Sequence, residues 1–116
     1  CSWLESLSGL EPEEIENALE PAQPRAVVIR LLNNLKALQV KQEQWDQVWH
    51  VQRRLAALHP GAYEHRRDLA LIGIKANHPG AAIDLLEACL KTCPAQDRAI
   101  LQGHLLAAER LLADWN

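Results

Sequence analysis

Pro60 and Pro94 stand 34 residues apart, and sliding the chain against itself by that step lays Leu35 on Leu69, Val48 on Ala82, Trp49 on Ile83, Leu55 on Cys89 and Ala56 on Leu90. At these positions apolar residues fall on apolar residues. A fixed period of this length marks one supersecondary unit used repeatedly, each copy burying its apolar face against its neighbours. Within the period the apolar residues recur at steps of three and four, the spacing of one helix face. The composition agrees: 48% of the residues are hydrophobic, with no Phe, no Met and one Tyr. That balance favours packed helices over a sheet rich in β-branched and aromatic side chains. The expected fold class is all-α, a helical hairpin array.

Counting each unit so that its proline is position 32 makes Ile29 and Tyr63 the two first positions. The first unit then carries Leu32, Leu35, Trp45, Val48, Leu55, Leu58 and Pro60 at positions 4, 7, 17, 20, 27, 30 and 32. The second carries Leu69 and Ala70 at 7 and 8, then Ala82, Leu86, Cys89 and Pro94 at 20, 24, 27 and 32. This pattern resembles the tetratricopeptide repeat. Positions 4, 7, 8 and 11 share one face of the first helix, and 20, 24 and 27 form the facing stripe of the second. Proline at 32 cannot donate the hydrogen bond that would continue a helix, so it closes the hairpin. The departures are Lys36 and Gln39 at positions 8 and 11 of the first unit, and Arg66 at position 4 of the second.

The expected layout is a preface helix at 12–20 with its start at Pro12, helices at 25–42, 45–58, 62–76 and 80–92, and a last helix at 96–114. Pro21 and Pro24 bound an extended linker. The organisation is therefore a linker and preface helix over 1–24, one repeat at 25–60, a second at 61–94 and a capping helix at 95–116. The cap presents Leu101, Leu105, Ala108, Leu112 and Trp115 as one apolar stripe. Trp3, Leu4, Leu7 and Leu10 read as apolar surface that belongs against a preceding domain.

The formal charge of −3, with both signs interspersed, asks for neither nucleic acid nor an anionic membrane. Charged or amide side chains interrupt every apolar run before the roughly 20 residues of a spanning helix. Three cysteines do not describe a disulfide scaffold, and the expected compartment is a reducing cytoplasm. A chain that begins at Cys1 and contains no Met reads either as a domain of a longer polypeptide or as a processed lipoprotein anchored through Cys1. Cys89 and Cys93 share a helix face, but no second ligand pair stands at zinc spacing, and position 27 explains Cys89 as packing. No metal or other cofactor is expected, and no catalytic residue. His50, His59, His65, His78 and His104 are scattered and expected to face solvent, while Trp45 and Trp49 are expected to pack between helices.

The strings Arg30-Leu31-Leu32-Asn33-Asn34-Leu35-Lys36, Trp45-Asp46, Arg53, Pro60 and Arg67-Asp68-Leu69 resemble the C-terminal tetratricopeptide segment of the SirB-type transglutaminase-like family over about residues 21 to 94. That resemblance implies an upstream domain related to transglutaminases and papain-like proteases, which would hold any Cys-His-Asp constellation. Resemblance to tetratricopeptide arrays further implies a concave face lined by positions 2, 5, 6, 9, 12 and 13. Here those are Arg30, Asn33, Asn34, Ala37, Val40 and Lys41, then Glu64, Arg67, Asp68, Leu71, Ile74 and Lys75. Of these, Arg30, Asn33, Asn34, Ala37, Lys41, Arg67, Leu71 and Lys75 form the candidate peptide-binding groove, since Arg, Lys and Asn suit peptide backbone and carboxylates. The competing reading is a solvated helix face with an ion pair internal to the Arg67–Asp68 region. A clamp for C-terminal carboxylates needs Lys at 5 and Asn at 9, and Asn33 and Ala37 do not supply it.

The expected function is a protein or interdomain interaction module, with a protein, a peptide or its own upstream domain as partner. Two alternatives stand beside it. One is an accessory segment of a cysteine-dependent enzyme whose active site lies upstream; the other is the lipoprotein scaffold.

Overall fold

A computed structural model describes residues 24–115, and the preface helix expected at 12–20 lies outside them. Among the described residues the chain forms five helices and no strand: α1 (Arg25–Lys41), α2 (Trp45–Leu58), α3 (Tyr63–Lys75), α4 (Pro79–Leu90) and α5 (Ala95–Trp115). The chain divides into two compact units, one ending at Pro60 and the other beginning at Gly61.

In the first unit α1 packs on α2. α1 starts directly after Pro24, whose extended backbone (φ −60°, ψ 145°) is the geometry that lets a helix begin on the next residue. Leu32, Leu35, Val51 and Leu55 form the core, with Val28, Ile29 and Leu58 packed against it. Each such Leu contributes roughly 1.5–3 kcal/mol by leaving water. The seam is not wholly apolar: Gln39 and Gln52, at positions 11 and 24, are fully buried where the second unit has Gly73 and Leu86.

In the second unit α4 packs against both α3 and α5. α4 begins on Pro79, a residue suited to the first helical position because its missing N–H has no intrahelical acceptor there. Ala70, Ala82, Leu86, Cys89, Leu101 and Ala108 form the core. Ala82 and Cys89 on α4 are both essentially inaccessible, so small side chains stand where the helix is fully covered.

Both hairpins turn the same way. After α1, the Glu43 amide donates to the Val40 carbonyl (3.0 Å) and the Gln44 amide to the Gln39 carbonyl (2.9 Å). After α3, Asn77 donates to Ile74 (3.3 Å) and His78 to Gly73 (2.7 Å). These are paired Schellman closures, which require a left-handed residue just past the cap. Glu43 (φ 57°) and Asn77 (φ 69°) supply it, 34 residues apart. The period therefore extends to backbone conformation.

Helix bounds differ from expectation by one or two residues, most at the end of α4. α4 ends at Leu90, not at 92, with the Lys91 and Thr92 amides donating to Ala88 and Cys89 in a tightened last turn. Pro94 consequently lies past that end and its carbonyl accepts from the Asp97 amide (3.0 Å), so it opens α5 as much as it closes α4. α5 keeps the expected stripe but does not continue the strict repeat. A strict 34-residue step places Ile100 at position 4, yet Ile100 is 59% exposed and Leu101 is buried. The apolar stripe of α5 is seated at Leu101, Leu105 and Ala108 and emerges to solvent at Leu112.

Candidate functional site

The candidate groove residues divide between the two units. Arg30, Asn33, Asn34, Ala37 and Lys41 lie on α1, and Arg67, Leu71 and Lys75 on α3. On α1 all five are exposed, as is Val40, because the opposite stripe of Leu32 and Leu35 takes the core contacts. The Asn33 amide donates to the Ile29 carbonyl of its own helix (3.1 Å), which holds its side chain along the helix surface. α1 carries Arg25, Arg30, Lys36 and Lys41 and no Asp or Glu. Its outward face is basic and rich in amide groups.

The α3 residues are differently employed. Arg67 is half-buried and bridges two carboxylates, Asp68 at 3.2 Å and Asp97 at 3.6 Å. Its guanidinium also lies 5.7 Å from the centroid of the Tyr63 ring, within cation–π range. The Tyr63 hydroxyl donates to Asp97 Oδ2 at 3.0 Å. Burial works against the Arg67 charge, but the hydrogen bond and charge of Asp68 outweigh it and hold its pKa above the ordinary value. Burial, the hydrogen bond to Asp97 and the Asp97 charge push Tyr63 up to about 12. Leu71 and Ile74 pack partly against the core of their unit, while Glu64 and Lys75 are exposed. Arg67 thus joins α3 to α5 within the unit, which is the ion-pair reading of this region.

Tyr63 and Asp97 were not among the residues singled out from sequence. The signal that finds them is the period itself, since they lie 34 apart and occupy the first position of successive units. The five histidines are each half-buried rather than turned to solvent. Trp49 is buried and Trp45 half-buried, consistent with packing. Cys89 is buried, and that burial raises its thiol pKa; a raised pKa leaves the less reactive thiol form in place at neutral pH. Cys93 donates weakly to the Leu90 carbonyl (3.8 Å). No group of three or more potential metal ligands gathers among the described residues. No helix among them is long and apolar enough to cross a membrane.

Two curated proteins from Xylella fastidiosa, strains Temecula1 and 9a5c, each called UPF0162 protein, are similar to this chain. Each is 28% identical over 110 residues, covering 90% of this chain and 39% of the relative. The chain therefore spans well under half the length of the curated relatives it matches. No solved structure matches it. A tetratricopeptide repeat family model matches residues 35–112, which takes in α2 to α5 and leaves Arg30, Asn33 and Asn34 ahead of the match. With the 34-residue step, the paired Schellman turns and successive helices packed as hairpins, that match makes the chain a member of the tetratricopeptide repeat family, whose repeats generally mediate protein–protein interaction.

Proposed function

We propose that the chain is an interaction module of a larger SirB-type transglutaminase-like protein, and that the exposed face of α1 is its contact surface. The observation that carries this reading is the contrast between α1 and α3. Arg30, Asn33, Asn34, Ala37 and Lys41 are all exposed on an acid-free helix, whereas Arg67 is held by Asp68 and Asp97. Side chains already satisfied within the fold have less to offer a partner; exposed Arg, Lys and Asn keep donors for peptide carbonyls and carboxylates. Leu71 and Lys75, the remaining groove candidates, lie on α3 of the second unit. The domain plan remains repeats at 25–60 and 61–94 with residues 95–116 closing the second.

The partner is the upstream domain of the same polypeptide. The length of the curated relatives beyond the aligned region supports a larger parent. The test mixes this chain with the remainder of its parent protein, supplied as a separate polypeptide. Arg30→Ala, Asn33→Ala and Lys41→Ala together are expected to abolish association while leaving helix content unchanged. Undiminished association of the triple variant would overturn the assignment of the face.

A further inference from the structure

Cys89 and Cys93, the two thiols among the described residues, lie four residues apart where α4 gives way to α5, and neither belongs to the contact face proposed above. Cys89 is 2% exposed in the core of the second unit, and Cys93 is half-buried and packed against that same core. The winding of α4 does not stop at Leu90. The Lys91 amide donates to the Ala88 carbonyl (3.2 Å) and the Thr92 amide to the Cys89 carbonyl (3.1 Å). Cys93 therefore follows Cys89 by about one turn, which sets the two Cα atoms about 6–7 Å apart. A disulfide spans roughly 4.4–6.8 Å between Cα atoms. Side chains on a helix lean back toward its N-terminus, and the Cys93 sulfur does so here, lying 3.8 Å from the Leu90 carbonyl oxygen. The Arg98 guanidinium donates to that same oxygen at 3.1 Å, so the Leu90 carbonyl keeps a donor when the thiol turns away.

We propose that Cys89 and Cys93 form a reversible disulfide when the chain meets a hydroperoxide, Cys93 reacting first and Cys89 resolving, so that the junction of α4 and α5 is a thiol switch. Access sets the order. A hydroperoxide reaches the half-buried Cys93 and not Cys89, whose burial also keeps it in the less reactive thiol form. In the first step the Cys93 sulfur attacks one peroxide oxygen. The S–O bond forms, the O–O bond breaks, and the other oxygen leaves with the thiol proton, as an alcohol or as water; Cys93 is left as a sulfenic acid. In the second step the Cys89 sulfur attacks the Cys93 sulfur. The S–S bond forms, the S–O bond breaks, and the hydroxyl leaves as water with the Cys89 proton. Two electrons pass from the thiols to the peroxide. The bridge closes a loop of only five residues, Cys89 to Cys93, and so short a loop constrains the unfolded chain little. Its spacing is at the long end of what a disulfide spans, and strained bridges are the readily reduced ones. The bond therefore serves as a reversible mark, placed at the end of the helix that packs on both α3 and α5.

The test exposes the full 116-residue chain, carrying Cys1→Ser so that only this pair of thiols remains, to a small molar excess of hydrogen peroxide, then blocks free thiols and digests with trypsin. Cleavage after Lys75, Lys91 and Arg98 puts the two cysteines in separate peptides, 76–91 and 92–98, so a bridge is seen as a linked pair. A mixture of nitrogen-14 and nitrogen-15 protein separates links within one copy from links between copies. The expected result is the linked pair, formed within one copy and undone by dithiothreitol. With dimedone present, Cys89→Ala is expected to accumulate labelled sulfenic acid at Cys93. Oxidation of Cys89 is expected to fall about ten-fold or more in Cys93→Ala, because the oxidant reaches it only through Cys93. Alanine suits the first of these positions, as the fully buried Ala82 shows on the same helix. Oxidation of Cys93 without the linked pair, links only between copies, two thiols that both survive the exposure, or Cys89 oxidised equally fast in Cys93→Ala would each overturn the proposal.

Discussion

At the scale of single residues, the most informative positions are those that the repeat places twice. Glu43 and Asn77 make the same left-handed turn, but Asn tolerates that conformation better than Glu, whose Cβ and unbranched chain gain nothing there. Glu43→Gly is expected to stabilise the chain by up to ~1 kcal/mol, and Asn77→Val to destabilise it by ~1–2 kcal/mol, both read from urea unfolding midpoints. A loss of stability in Glu43→Gly would contradict the Schellman geometry. Tyr63 is the single tyrosine, so phenolate absorbance reports it alone. Its pKa, raised in the folded chain to about 12 from an ordinary 10.0, means that the folded state holds this proton more tightly than the unfolded state. The stabilisation is complete below pH 10 and disappears as pH rises through 12. Asp97→Asn removes the hydrogen-bonding carboxylate and is expected to bring the midpoint down toward 10 while burial keeps it somewhat above. A midpoint that does not move would rule out the Tyr63–Asp97 bond.

At the scale of elements, each hairpin stands on a few large side chains with no solvent contact. Leu55 on α2 and Leu86 on α4 are fully buried, and replacing either by Ala is expected to cost ~2–5 kcal/mol, measured by thermal or urea unfolding. Ile100→Ala, at 59% exposure on α5, should change stability little by the same measurement. That pair also shows what the sequence revealed. The positions of Leu32, Leu35, Val48, Leu55, Ala82, Leu86 and Cys89 in the core follow from helical spacing alone, and the helix bounds follow from Pro24, Pro60 and Pro79 to within two residues. The seating of α5 at Leu101, Leu105 and Ala108 followed as well, because those residues recur at steps of four and three. The Arg67–Asp68 pair was legible as the competing reading of that face, but the bridge from Arg67 to Asp97 was not, because Asp97 lies 30 residues away and is brought close only by the packing of α4 against both of its neighbours. A surface position predicted from spacing says where a side chain sits, whereas the carboxylates opposite it determine what it remains able to bind.

At the scale of the whole molecule, a repeating hairpin plan carries an uneven distribution of charge. The repeats account for stability. The acid-free α1 and the satisfied Arg67 are what support α1 as the proposed contact surface. High salt is expected to weaken a partner's charge contacts with α1, so affinity should fall as ionic strength rises. An affinity that does not change with salt in a calorimetric titration would argue against a charged contact. The most direct test of the central claim is a residue-resolved map of amide chemical shifts on adding the parent's remaining domain to the labelled chain. The account predicts that perturbations concentrate on Arg30, Asn33, Asn34, Ala37 and Lys41 of α1; perturbations concentrated instead around Ile100 and Leu106 of α5, with α1 unmoved, would contradict it.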